Sequence, residues 1–390
     1  MAPTVVVLGG AYGGLHVAHY LLKNNKEAKV VLVSKTSHFF WNLASVRAII
    51  AGTIQDKQMF VSLADALSRY PKDRVELIVG SAEAVDTTAK TVKVSVPGAA
   101  ERSFAYDQLV LATGSRNTQL KTQSVPGADN ASPIMPWKAD NTYEDYLALL
   151  HSTQEKVKAA KHIVVAGGGS TGVEVASELG YAFAGKSVDK GGKEIVLLSS
   201  GEVLGGDTIS GSARNELKKL HVDVRTTGAV TAARTLPDGR TELTVAGASE
   251  PVVTDLFLAT VGLTPNTDYL DAKLLNAKKY VEVDEFFRVK GVAENNVWAV
   301  GDVVSKPRAG FIITQKQAGG AAKNIDLVLK GKAPQPVKGF DMDILAVATG
   351  PSRGVGRFGS WRLPSLAVWL AKGRTLGVQM TSSYVDGSVA

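Results

Sequence analysis

The chain has 390 residues, 45% hydrophobic and 21% charged, which suits two or three domains with sizeable cores and excludes a disordered or fibrous protein. It has no cysteine, which excludes structural disulfides, thiolate metal sites, iron–sulfur clusters and a redox-active cysteine pair; it fits a reducing compartment. The formal net charge is +7, but the basic residues are scattered, so an ordinary Lys-rich surface is expected and nucleic-acid binding is not.

The N-terminus "MAPTVVVLGG" enters a strand at once, with no basic and apolar leader pattern. Residue 2 is Ala, which excludes N-myristoylation. No apolar run reaches the roughly 20 residues of a spanning helix. The expected location is cytoplasmic, free or peripheral on a membrane surface.

The stretch "VVVLGGAYGG" (5–14) reads as strand, glycine loop and helix start. Gly9 and Gly14 fall at the outer positions of a dinucleotide loop, Ala11 at the position of its second glycine, and Gly10 and Gly13 add flexibility. The second strand, "AKVVLVSKTSHFFWN", ends at Ser34, about 20 residues past Gly14, where an acid usually bonds a ribose. Ser34 can make one such bond without charge, and Lys35 either pairs with a phosphate or is solvated. "KDRVELIVGSAEAVDTTAKTVKVS" alternates like a meander, and "YDQLVLATGS" (106–115) is a buried strand ending in Thr113-Gly114.

"VPGADNASPIMPW" (125–137) is rich in Pro, Gly and Ser and reads as a linker. The next stretch, "NTYEDYLALLHSTQEKVKAA", is a helix with Asn141 or Thr142 as cap. Then the glycine signature returns. "HIVVAGGGSTGVEVASEL" places Gly167, Gly169 and Gly172 at full GxGxxG spacing around Ser170 and Thr171. Glu174 lies in the first helical turn, where the dipole favours it in any case. "KEIVLLSSGEVLGGD" ends its strand at Ser199-Ser200, with neither an acid for a ribose 2′-hydroxyl nor an adjacent Arg for a 2′-phosphate. Use of NADH and NADPH is expected, with a lean toward NADPH. A second meander turns at Pro237-Asp238-Gly239, and "TDLFLATVGLTPNT" (254–267) repeats the earlier strand-plus-Thr/Gly signal. "AENNVWAVGDVVS" (293–305) is a buried strand stopped by Gly301-Asp302 before a helix, "ITQKQAGGAAKNIDLVL". Asp302 there can bond a polyol chain or cap the helix. "KGKAPQPVKG" (330–339) marks a further boundary.

These signals predict an α/β protein with two Rossmann-like dinucleotide-binding domains and a C-terminal α+β segment. The expected boundaries are 1–125 with 265–333 for the first domain, 126–264 for the second, and 334–390 for the rest. In the last segment, 361–374 "WRLPSLAVWLAKGR" sets Trp361, Leu363, Leu366, Val368, Trp369 and Leu370 among Arg362, Lys372 and Arg374. Such a stretch suits a membrane interface, a cover over the site or a dimer contact.

The ordered set "VVVLGGAYGG", "YDQLVLATGS", "VVAGGGSTGVEVASEL", "LATVGLTPN" and "NNVWAVGD" resembles the two-dinucleotide-binding-domain flavoproteins, which include the pyridine nucleotide-disulfide reductases. "SHFFWNLASVRA" (37–48) and "GPSRGVGRFGSWRLPSLAVWLAKGR" (350–374) bring it closest to the apoptosis-inducing-factor-like, ferroptosis-suppressor-like branch. The resemblance implies the three-layer ββα form of each domain. It implies FAD held by Gly9, Ala11 and Gly14, with Ser34 near the adenosine ribose, the backbone at Ala84 and Val85 near the adenine, Thr113 and Gly114 closing the site, and Asp302 on the ribityl side. Arg47 would lie near the flavin or pyrophosphate, or be an ordinary surface arginine. NAD(P)H would be held by Gly167, Gly169, Ser170, Thr171 and Gly172, with Gly262 beside the nicotinamide half. Glu174 would sit at the nicotinamide–flavin junction. Lys338 matches a family lysine near the flavin, although its setting alone suggests a solvated linker.

Hydride transfer asks the protein to stack two rings and exclude water, since the cofactors carry the chemistry. Disulfide reductases of this superfamily pass electrons on to a cysteine pair, which this chain lacks. The acceptor must then meet the flavin directly, and the resemblance favours a quinone over oxygen. A dedicated small-molecule substrate in a biosynthetic pathway, or a nucleotide-sensing or DNA-binding protein with vestigial redox activity, stay open. A monomer or a homodimer fits equally, and no histidine spacing suggests a metal site.

Overall fold

The computed structural model describes residues 2–122, 135–138, 141–186, 191–305, 310–338 and 343–390. The expected domain boundary at residues 125–126 lies outside the described residues. Two parallel sheets dominate. In chain order their strands are β1 (Thr4–Leu8), β2 (Lys29–Ser34), β3 (Val75–Val79), β4 (Gln108–Leu111), β5 (His162–Ala166), β6 (Glu194–Leu198), β7 (Val222–Arg225), β8 (Leu256–Ala259) and β9 (Val297–Ala299). The first sheet runs β3-β2-β1-β4-β9 and the second β7-β6-β5-β8. All pairs are parallel, so the second sheet repeats the order of the first without its last strand.

The strands form because both faces of each sheet are covered. Val5, Val6, Val7 and Leu8 are all buried, as are Ile163, Val164 and Val165 at the equivalent place, so apolar runs replace alternation. Antiparallel meanders supply the third layer. One, Ser81–Asp86, Thr91–Ser95 and Arg102–Ala105, lies between β3 and β4; the other, Val230–Thr235, Thr241–Val245 and Val252–Thr254, lies between β7 and β8. The turn at Pro237-Asp238-Gly239 is as expected, with Leu236 N–H bonded to Arg240 O and Gly239 at φ 83°.

Five helices matter for the site: α1 (Tyr12–Asn24), α2 (Ser45–Ala48), α3 (Tyr143–Ala159), α4 (Ser170–Phe183) and α5 (Phe311–Leu329). Thr142, not Asn141, caps α3, its hydroxyl accepting from Asp145 N–H at 3.2 Å. Helices α1 and α5 pack closely, with Gly319 against His16 on the facing helix.

The C-terminal piece is a small antiparallel sheet, Ile344–Ala348, Gly354–Phe358 and Trp361–Leu363, followed by short helical turns. The stretch 361–374 is therefore not one amphipathic helix. Trp361–Leu363 is a strand, Pro364 ends it, and helical backbone starts at Ser365.

Helix α1 also carries two buried histidines, and these give a pH dependence. Burial, reinforced by nearby Lys23, lowers both His16 and His19 from 6.5 to about 4; Arg69 adds to the effect at His19. The native state thus refuses protons that the unfolded chain accepts. The associated stability is complete above pH 6.5 and is lost as pH falls through 4, by up to about 3 kcal/mol per histidine. The urea midpoint is expected to fall steeply between pH 6.5 and 4, and less so in a His16→Leu/His19→Gln variant. Parallel profiles for the two proteins would refute the assignment.

Candidate functional site

The two glycine loops have the same construction. A Cβ on Gly9, at φ 114°, would stand 2.2 Å from Ala112 O; one on Gly167, at φ 116°, would stand 2.4 Å from Thr260 O. A Cβ on Gly14 would meet Gly9 O at 1.9 Å, and one on Gly172 would meet Gly167 O at 1.8 Å. These four positions admit only glycine, because strand, loop and helix backbones touch there. The middle position differs. Ala11 has φ −95° and ψ −158°, and Gly169 has φ −72° and ψ −178°, extended values open to any residue. Nothing lies within 4 Å of a Cβ at Gly169. Ala11 therefore costs the loop no strain, and its methyl lines the cavity that a ligand would enter.

Two cavities lie over the carboxyl ends of the first sheet, the crevice where open α/β sheets bind ligands. One of about 490 Å³ reaches Gly80–Glu83, Arg116, Asp268 and Tyr269. The other, about 350 Å³, reaches across to Thr171, Glu174, Thr260 and Gly262 of the second lobe. They meet at Gly9, Lys35 and Thr113, and form one long trough. Its inner wall is apolar and aromatic, with Phe40, Leu43, Val46, Trp137, Leu263 and Phe311. Tyr12 stands edge-on to Phe39, Trp41 and Phe311, each at 5.3 Å between ring centres.

Three charge pairs surround the trough. Asp302, in the turn after β9, accepts from Lys138 Nζ at 2.6 Å and from Ser115 Oγ at 2.9 Å. Burial pushes its carboxyl up, but Lys138 and Ser115 outweigh this and hold it below the ordinary aspartate range. Glu174, on α4, receives Lys372 Nζ at 2.5 Å and Ala348 N–H at 2.9 Å, both on Oε1. Glu174 also lines the second cavity. Arg47, on α2, forms a two-pronged pair with Glu178 at 2.8 and 2.9 Å and also donates to the carbonyls of Gly373 and Arg374. Burial raises the Glu178 carboxyl, and Arg47 opposes the rise.

Most of the expected residues come together. Gly9, Gly10, Ala11, Gly13, Ser34, Lys35, Thr113, Gly114, Thr171, Glu174, Gly262 and Asp302 line the trough. Gly14, Gly167, Gly169, Ser170 and Gly172 shape the loops without lining it. Ser34 is buried and donates to Thr36 O. Three expectations need correcting. Arg47 is buried, not an ordinary surface arginine: Glu178 holds its guanidinium inward, while its neighbours Ser45 and Val46 line the trough. Ala84 and Val85 do not line the trough; Ser81, Ala82 and Glu83 do, and the strand pairing is irregular between Ala82 and Ala84. Lys338 is exposed and away from the trough, beside Val337, which packs on Gly320 of α5. Besides Lys35, Lys138 lines the trough and Lys372 reaches Glu174 on its wall, and no sequence signal singled out either of these two for the site.

Residues 3–323 match the family model described as pyridine nucleotide-disulphide oxidoreductase. "Oxidoreductase ptaL" of Pestalotiopsis fici is 37% identical over 393 residues, covering 99% of each chain. "Ferroptosis suppressor protein 1" of Homo sapiens is 29% identical over 386 residues, covering 96% of this chain and 93% of that one. Among solved structures, the sulfide:quinone oxidoreductase of Aquifex aeolicus superposes with a TM-score of 0.75 over 100% of this chain and 93% of that one, at 21% identity, and shares the fold.

Proposed function

The chain belongs to the pyridine nucleotide-disulphide oxidoreductase family, and from that premise we propose that it is an FAD-dependent NAD(P)H oxidoreductase that passes electrons directly to a quinone-type acceptor or oxygen. The observation that carries this reading is the trough itself: its wall runs from the first glycine loop to Glu174 and Gly262 behind the second. The residues present fit a dinucleotide with a flavin at its inner end. Gly9 and Gly14 hold the loop open at backbone contact, and the middle position leaves the methyl of Ala11 as the sole addition to a ligand's surroundings.

Bound FAD would supply the two-electron chemistry. The N-terminal turn of α1 offers backbone N–H groups and its dipole to a diphosphate, and Lys35 adds charge at the point where the two cavities meet. Asp302 accepts from polyol hydroxyls. Phe40, Leu43, Val46, Trp137 and Phe311 exclude water from the ring site. Glu174, fixed by Lys372 and the Ala348 amide, keeps one oxygen for a nicotinamide carboxamide. Tight orientation of this kind is the main lever in hydride transfer. With no cysteine in the chain, no thiol relay can follow, so the acceptor must reach the flavin edge.

The test is turnover with NADH or NADPH against a panel of a soluble quinone, oxygen and a dye. Quinone turnover well above oxygen turnover supports the reading. Reduction of bound flavin with no quinone turnover would point to a dedicated small-molecule substrate instead.

No helix among the described residues is long and apolar enough to cross a membrane. A peripheral contact belongs to the same proposal. Trp361 is 79% exposed, Leu366 65% and Leu370 56%, and Phe358 pairs with Trp361 across the strands. With Arg362 and Arg374 nearby, this face suits an anionic lipid surface. The protein is expected to float with anionic vesicles and Trp361→Ser to reduce that fraction; absence of the wild-type protein from the vesicle layer would exclude the contact.

A further inference from the structure

Residues 135–138, between the two lobes, are built into the site. Met135 O accepts from Asn117 Nδ2 at 2.8 Å, and Pro136 O accepts from the Tyr146 hydroxyl of α3. Trp137 O accepts from Asn42 Nδ2 of the first lobe at 2.8 Å, while its indole N–H donates to Ala259 O, at the end of β8 in the second, at 2.8 Å. Trp137, which precedes Lys138, is therefore fixed to both lobes, and Pro136 to α3. Its ammonium is delivered to Asp302 inside the trough, where the two side chains are 24% and 12% exposed.

We propose that Lys138 is a positioning residue of the dinucleotide site: it keeps Asp302 an ionised acceptor and places a counter-charge for a diphosphate in the same trough. The proposal rests on the flavin reading above. An ionised carboxylate only accepts hydrogen bonds, so it matches the hydroxyls of a polyol chain; a protonated one presents a competing donor. A buried carboxylate stays ionised only when something opposes desolvation. The other groups around Asp302 cannot replace Lys138. Ser115, on the segment after β4, contributes one neutral hydrogen bond, Tyr12 on α1 is uncharged, and Glu174 across the cavity carries the same sign as Asp302. Lys35 lines the trough where the two cavities meet, with Gly9 and Thr113, whereas Asp302 lines only the second cavity.

The experiment is reconstitution of the full apo chain with FAD, with the dissociation constant measured from pH 5.5 to 8. Wild-type affinity is expected to be nearly flat over this range. Lys138→Met is expected to weaken binding about tenfold at pH 7.5, the usual size of a lost charge-assisted contact. It is further expected to lose affinity as the pH drops, because Asp302 now takes up a proton. Lys138→Arg is expected to restore both the affinity and the flat profile, and Asp302→Asn/Lys138→Met to remove the slope. A lysine that merely stabilised the fold would lower the melting temperature and leave the pH profile flat. Lys138→Gln gives a second neutral variant should the methionine variant misfold. Unchanged affinity with a flat profile in folded neutral variants would overturn the proposal. Failure of wild-type chain to take up FAD would instead remove the flavin reading, and that result is seen before any variant is made.

Discussion

Glu174→Leu is expected to slow reduction of the bound flavin by NAD(P)H by about two orders of magnitude, a loss of roughly 2.7 kcal/mol in barrier terms. The side chain lies at the junction of the two lobes, and both its fixed bonds use Oε1. On the proposed reading, removing the carboxylate would free the nicotinamide ring, and misplacement by about 1 Å can cost a hundredfold. The loss should appear in the rate of flavin reduction, with FAD content unchanged. Because Lys372 would be left beside the cavity without its partner, the Glu174→Leu/Lys372→Met pair is the necessary companion. If the double variant recovers the rate, the single-variant defect came from the stranded ammonium. If both reduce flavin at the wild-type rate, Glu174 has no orienting role.

Gly14→Val is expected to remove FAD binding altogether and to leave most of the chain insoluble. A Cβ at this position would lie 1.9 Å from Gly9 O, a backbone atom that cannot yield without separating α1 from β1. The cost falls on the packing of the first lobe, and a domain has only about 5–15 kcal/mol of stability to absorb it. Ala11→Gly is the matched control. It changes a position whose backbone is already extended, so folding should be preserved and FAD affinity kept or improved. A soluble, yellow Gly14→Val protein would mean that the loop is not the diphosphate cradle.

The framework was legible because its constraints are local. Apolar strands running into glycine loops at residues 9–14 and 167–172 state where backbones must touch, and the paired meanders follow from alternation and turn residues. Ala11 departs from the glycine pattern without cost because the motif merges two demands. The outer glycines serve backbone geometry, and the middle one serves the ligand. What stayed hidden depends on long-range meetings. Arg47 finds Glu178, 131 positions away, and no spacing rule connects them. Lys338 and Lys372 lie in the same C-terminal stretch, and only the packing of Ala346 and Ala348 against α4 brings the second to Glu174. Lys138 follows a stretch whose composition reads as a spacer, and its contact with Asp302 comes with bonds between Trp137 and both lobes. Ser81–Glu83 rather than Ala84-Val85 line the trough, beside an irregular strand pairing that composition does not record.

The most direct test of the central claim is an anaerobic titration of the purified full chain, reconstituted with FAD, with NADPH or NADH. The account predicts one FAD per chain, its yellow band bleached by one equivalent of reduced nicotinamide and restored by one equivalent of quinone, with no further electrons taken up. A chain that retains no FAD under these conditions, or whose bound FAD stays oxidised with both nucleotides in excess, would contradict it.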